Sequence, residues 1–134
     1  MELLRVERLP DLRRTLAHHV IGNDPTARLT ANEFWRATLT PAGAVTLHLR
    51  WSADRFDSEA WGPGRDWALE RVNDLIGLTD SRHCFPDSSA AALLDAQRRH
   101  PHLRLSHGHS LYHSLLPVVI GQRVTAVEAH RSWR

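Results

Sequence analysis

The sequence contains no lysine: all 17 basic residues among its 134 are arginine, a bias that points to a GC-rich coding sequence more than to selection for phosphate contacts. Arginine is almost impossible to deprotonate, so a pI of about 9.5 coexists with a formal charge of only +2. Basicity this mild does not specify a nucleic-acid partner. Cys84 is the only cysteine, which excludes an internal disulfide and a multi-cysteine zinc site, and a reducing, cytoplasmic location is expected. No apolar run approaches membrane-spanning length, so no membrane partner is expected. The opening MELLRVERLPDLRRTL mixes charge with apolar residues and lacks the continuous core of a secretory signal. Internal repeats and sustained low hydrophobicity are also missing, which leaves one ordinary globular chain.

The strand signals lie in the first half. Leu16 to Ile21 reads as a first strand, ended by a turn at Asn23, Asp24 and Pro25. The clearest strand is Val45 to Trp51, where Val45, Leu47, Leu49 and Trp51 alternate with Thr46, His48 and Arg50; one face is expected buried and the other wet. Phe34 to Thr40 precedes it, and Pro41, Ala42 and Gly43 suit a short antiparallel connection.

Helix signals follow. Pro63 stands at the first-turn position of a helix whose stripe is Ala68, Leu69, Val72, Leu75 and Ile76, closed by Gly77. The spacing predicts a second helix from about Ser89 to Arg99, with Ala92, Leu93 and Ala96 inward and Pro101 enforcing its stop. From Leu111 to Ile120 the apolar residues again recur at helical spacing, with Ser110 as N-cap and Gly121 as terminator. Thr125 then stands three residues before Glu128, the capping-box arrangement that opens a further helix with Ala126, Val127, Ala129 and Trp133 as its apolar stripe. The expected class is α+β: an antiparallel sheet with covering helices, then the first helices of a truncated all-α domain. Residues 1–80 form the sheet and its helix, 81–106 a helical connection, and 107–134 the start of the helical domain.

Several residue clusters invite chemistry. His100, His102, His107, His109 and His113 crowd together, but no catalytic Glu stands between paired histidines, and solvated loop histidines are the expectation. No metal site follows. Ser106, Ser110 and Cys84 lack a recognisable nucleophile context. Core packing accounts for most of Trp35, Trp51, Trp61, Trp67 and Trp133 before any role in base stacking does. Gln122 and Arg123 are the residues singled out for function, with Thr125 beside them.

Leu116 to Trp133 resembles the opening of the catalytic domain in helix-hairpin-helix DNA glycosylases, especially the 3-methyladenine DNA glycosylase II family. In that family a helix ending in an Ile-Leu-Gly-Gln-like phrase runs into a short loop whose tip enters the duplex beside a flipped-out base. Ile120, Gly121 and Gln122 match that phrase, with Arg123 next. AWGPGRDWAL at Ala60 to Leu69, with the hairpin before it, is similar to part of the family's amino-terminal antiparallel sheet. The resemblance implies a double-stranded DNA partner carrying a damaged base, contacts from Gln122 and Arg123, a phosphate contact from Thr125 through its hydroxyl or the helix N-terminus, and hydrolysis of the N-glycosidic bond of a flipped purine without metal or cofactor. The family's Leu-Pro-Gly-Ile-Gly-like hairpin and its following catalytic aspartate have no counterpart, since Asp66, Asp74, Asp80, Asp87 and Asp95 all precede the Gln122 loop. No catalytic residue is therefore assigned. The reading is the amino-terminal portion of a base-excision-repair glycosylase for alkylated purines, inactive alone, with a complementary carboxy-terminal fragment as a further partner. The alternative is a stand-alone module that binds nucleic acid or protein without chemistry.

Overall fold

The strongest period-2 pattern becomes the middle of a five-stranded antiparallel sheet in the computed structural model, which describes residues 4–5, 9–22, 24–80 and 90–132. The strands are β1 (Leu4–Arg5), β2 (Ala27–Leu29), β3 (Glu33–Thr40), β4 (Gly43–Trp51) and β5 (Arg55–Trp61), in the order β1-β5-β4-β3-β2. Thr40 pairs with Gly43 across the Pro41-Ala42 connection, so the expected hairpin forms and its register brings Phe34 opposite Leu49. On β5, Ala60 faces Leu47 and Phe56 faces Trp51. Phe34, Val45, Leu47, Leu49, Phe56 and Ala60 thereby share one buried face.

Three short helices cover that face: α1 (Leu12–Leu16), α2 (Arg65–Glu70) and α3 (Val72–Leu75). Leu12, Leu16, Ala68, Val72, Leu75 and Ile76 join the sheet residues in a single hydrophobic cluster. Each large apolar side chain so buried contributes about 1.5–3 kcal/mol relative to exposure.

The first strand expected at Leu16 to Ile21 is instead the end of α1 followed by a 3-10 turn over Ala17–His19. Asp11 explains the difference, because its carboxylate accepts the Arg14 N–H at 3.1 Å and caps α1. Once helical, Leu12, Thr15 and Leu16 fall on one buried face at i, i+3 and i+4.

The expected helix after Pro63 is two helices, broken at Arg71, whose φ is −106°. Arg71 donates from Nη1 to the Trp67 carbonyl at 3.0 Å, and its guanidinium lies 4.4 Å from the centroid of the Trp67 ring. The turn before α2 requires both glycines of Gly62-Pro63-Gly64. Gly62 has φ +108°, and a Cβ there would lie 2.5 Å from the Ala44 carbonyl oxygen. At Gly64 a Cβ would meet Thr40 Oγ1 at 2.5 Å, so this turn packs directly on the β3–β4 hairpin.

Helix α4 (Ala91–Arg99) forms where the spacing predicts it, although Ser89 lies outside the described residues. Its expected inward residues Ala92, Leu93 and Ala96 are exposed, and no residue of α4 is buried. The sheet face that would have received them is already filled by α1, α2 and α3. Chain then returns through an extended segment at Leu103 to His109. His102 accepts from the Asp11 N–H at 2.8 Å, Leu105 N–H donates to Asp80 at 3.0 Å, and His107 N–H donates to the Asp74 carbonyl at 3.0 Å. This strap closes the seam between α1 and α3.

The second face of β4 is not uniformly wet. Arg50 is exposed and pairs with Asp57 at 3.1 Å, but His48 is buried beneath Trp35, with ring centroids 3.7 Å apart and planes within 12°. Trp61 stacks on Trp35 at 6.0 Å. These two tryptophans pack on the outer face of the sheet, not in the core. Among the described residues no helix is long and apolar enough to cross a membrane.

Candidate nucleic-acid interface

Helix α5 (Leu111–Gly121) carries the third helical stripe, and α6 (Ala126–Ser132) follows after a four-residue turn. The Ser114 N–H bonds to the Ser110 carbonyl at 3.2 Å, which starts α5 at the expected cap position. Gly121 ends it as expected.

The capping box is formed. Thr125 donates from its backbone N–H to Glu128 Oε2 at 3.0 Å and from its hydroxyl to the same oxygen at 2.9 Å, while Glu128 N–H donates back to Thr125 Oγ1 at 3.3 Å. Those Thr125 bonds, the backbone one first, hold the Glu128 carboxyl below its ordinary pKa. A carboxylate thus already sits at the N-terminus of α6. It opposes a phosphate there, and the Thr125 hydroxyl proton is committed.

The turn brings Gln122, Arg123 and Thr125 together, all exposed. Gln122 N–H donates to the Val119 carbonyl at 3.3 Å, but among the described residues no hydrogen bond holds the side chain of Gln122 or Arg123. Both are free to reach outward. Beside them, Leu111, Leu115, Val118, Val119, Val124 and Val127 are exposed, Leu111 by 74%. Trp133 lies outside the described residues.

A polar cluster lies under the strap, away from this turn. Arg36, on the inner face of β3, donates from Nη1 to His19 Nδ1 at 2.9 Å. A guanidinium can only donate, so Nδ1 is an acceptor and the ring proton is on Nε2. Nε2–H then donates to Ser106 Oγ at 2.6 Å, and Ser106 donates in turn to the Leu75 carbonyl. This polarity is the reverse of nucleophile activation, where the serine must give its proton to the imidazole. Burial drives the His19 pKa down to about 3, with the charges of His18 and Arg36 acting the same way. Burial also lowers the His18 and Arg36 pKa values, Asp24 opposing the shift at Arg36.

His109 is not a solvated loop histidine. With φ at +51°, it sets Nε2 2.7 Å from Asp74 Oδ2 and its ring edge-on to Trp67 at 6.1 Å. Thr79 donates to the other Asp74 oxygen at 2.6 Å, and these two bonds, Thr79 first, lower the Asp74 pKa. His100 and His107 are exposed, as expected. Among the described residues no three His, Cys, Asp or Glu side chains converge as metal ligands.

No family model matches the sequence, and no curated protein matches it. Among solved structures, a 3-methyladenine DNA-glycosylase from Archaeoglobus fulgidus superposes on 97% of this chain with a TM-score of 0.67 at 17% identity. The chain shares its fold with the aligned part of that protein. It spans about half the length of that glycosylase, 47% of its chain. At this identity the likeness is one of fold, and it includes the sheet, its covering helices and the α5–α6 pair in a single alignment.

The sequence singles out neither Arg36 nor His19, and Ser106 only as lacking a nucleophile context. One signal was present: in Phe34 to Thr40, alternation that puts Phe34 inward also puts Arg36 inward, a charged residue at a core-facing position. The partners from positions 19 and 106 had no local signal, being 87 residues apart.

Proposed function

We propose that this chain is the amino-terminal portion of a base-excision DNA glycosylase for alkylated purines, with residues 1–80 as the sheet domain, 81–106 as a helical connection and 107–134 opening the helical domain. The observation that carries it is the fold match over 97% of the chain to a protein described as a 3-methyladenine DNA-glycosylase. The α5–α6 turn supplies the contact with the duplex. Gln122 is the residue that enters the stack beside an extruded base, lowering a cost of a few kcal/mol for unstacking and unpairing. Arg123 pairs with a backbone phosphate, and Thr125 supports both by holding the turn through Glu128.

No catalytic group is proposed within the chain. The cleavage chemistry belongs to the half of such a glycosylase that this chain does not span, and the exposed apolar face of α5 and α6 is the surface on which that half packs. The test is a binding titration with a duplex carrying an abasic-site analogue, where the base is already absent. Binding stronger than to the intact duplex, and reduced by Gln122→Ala, is expected. Equal affinity for the two duplexes and indifference to Gln122 would remove the insertion role.

A further inference from the structure

Arg36 is a buried cation whose only hydrogen bond among the described residues goes to a neutral imidazole. Its residue is 8% exposed, and a guanidinium has five N–H donors, of which His19 takes one. The Asp24 carboxylate acts on it through space and favours its charged form. Its remaining nitrogens are not sealed off from solvent, so they stay open to a ligand. The guanidinium borders a recess of about 210 Å³ between the 3-10 turn, β2–β3 and α5, whose polar lining is His18, His19, Asp24, Thr26, Arg36 and Ser114. A water occupies about 30 Å³, so the recess has room for a small tetrahedral anion.

The donors and acceptors around the recess are unequally distributed. Thr26 Oγ1 donates to Asp24 Oδ1 at 2.6 Å, and the Thr26 N–H donates to the same oxygen at 2.8 Å. Ser114 donates to the Ser110 carbonyl at 3.1 Å. Both hydroxyl protons are committed, so these oxygens present lone pairs only. Both nitrogens of His19 are engaged as well. One wall is therefore cationic and donating, and the other is a carboxylate with accepting oxygens. A matching ligand carries anionic oxygens on one side and an acidic O–H on the other.

We propose that this recess binds a protonated phosphate, either free inorganic phosphate or a phosphomonoester, with Arg36 taking the unprotonated oxygens and the P–OH turned to the wall of Asp24, Thr26 and Ser114. Sulfate is the same size but has no proton at neutral pH, so it sets an oxygen lone pair against the Asp24 carboxylate. A phosphodiester also lacks the P–OH, which separates this site from any contact with a DNA backbone and makes it independent of the glycosylase reading.

Calorimetric titration of the whole chain with phosphate and with sulfate, at pH 7 and matched ionic strength, tests the site. Saturable phosphate binding is expected, at least about tenfold tighter than sulfate, the scale of one hydrogen bond to a charged group. Arg36→Met removes both. Asp24→Asn replaces an acceptor by a group that also donates and is expected to bring sulfate to within about threefold of phosphate. If Arg36→Met does not fold, the selectivity change in Asp24→Asn decides alone. No saturable phosphate binding by the wild type, or a phosphate-to-sulfate ratio unchanged by Asp24→Asn, overturns the proposal. Competition by a 5′-phosphorylated oligonucleotide, but not its 5′-hydroxyl form, identifies a phosphomonoester; competition by inorganic phosphate alone identifies the free anion, and both support the site.

Discussion

Among the described residues the side chains of Arg123 and Gln122 make no hydrogen bond, so substituting them reads out binding with little interference from stability. Arg123→Ala is expected to change unfolding free energy by less than about 0.5 kcal/mol, as for other exposed positions. Duplex affinity should fall, and the slope of log affinity against log salt should become shallower by about one. A salt slope unchanged in the variant would show that Arg123 touches no phosphate. His19 gives a second prediction, on pH. Its folded pKa of about 3 lies below the ordinary 6.5, so between those values the unfolded chain binds the extra proton. Stability from this residue is fully present above about pH 6.5 and is lost as pH falls toward 3. The His19 contribution to the slope is at most about 1.4 kcal/mol per pH unit. His18 shifts in the same direction. His19→Gln keeps an acceptor for Arg36 and a donor for Ser106 but cannot titrate, so its urea-unfolding free energy should be flatter than wild type between pH 6.5 and 4. Parallel curves would mean that His19 is not held neutral by the fold.

At the scale of elements, what was legible depended on whether the signal was local. The β3–β4 hairpin followed from alternation and the short Pro41-Ala42-Gly43 connection, and the α6 start followed from Thr125 and Glu128, because in each case the determining contacts lie within a few residues. Leu16 to Ile21 was misread because a run of apolar residues and histidines fits either period, and the decision rests on the Asp11 cap upstream. The inward face assigned to α4 failed for a reason no local pattern contains: its place on the sheet is taken by other helices. The α5–α6 turn was found from sequence, whereas the Arg36 recess was not, since its walls come from four separate segments. The capping box makes α6 a test of local stability. Thr125→Ala removes the two bonds through the hydroxyl, to Glu128 Oε2 and from the Glu128 N–H, keeps the backbone one, and should cost about 1 kcal/mol of local helix stability without changing the global unfolding midpoint. Amide exchange across Ala126–Ser132 should be fast in the wild type and faster in the variant, against slow exchange in β3–β5. Slow exchange throughout α6 in a monomer would show that its exposed valines have found a partner surface.

For the molecule as a whole, the division of labour follows from what each part buries. The sheet with α1, α2 and α3 encloses its own hydrophobic cluster, while α5 and α6 leave Leu111, Leu115, Val118, Val119, Val124 and Val127 in water. The sheet part thus carries its own core, and the α5–α6 part presents an apolar face to solvent. Loss of a purine builds positive charge on the sugar, and lowering that barrier needs a preorganised carboxylate close to the anomeric carbon and a water held in line. Removing even one well-placed electrostatic group from an active site costs about 10²–10³ in rate. Among the described residues Asp74 is the carboxylate outside the α6 cap whose pKa specific donors lower, but Thr79 and His109 hold it under the strap, on α3, and not on the α5–α6 turn proposed as the duplex contact. The chain alone is accordingly expected to bind alkylated duplex DNA weakly and to release no 3-methyladenine from it. The assay is incubation of the purified chain with methylated duplex, followed by chromatography of the freed bases against a protein-free control. Release above that control, lost in Asp74→Asn while duplex binding persists, would place the reaction under the strap and overturn the assignment of the turn as a contact without chemistry of its own.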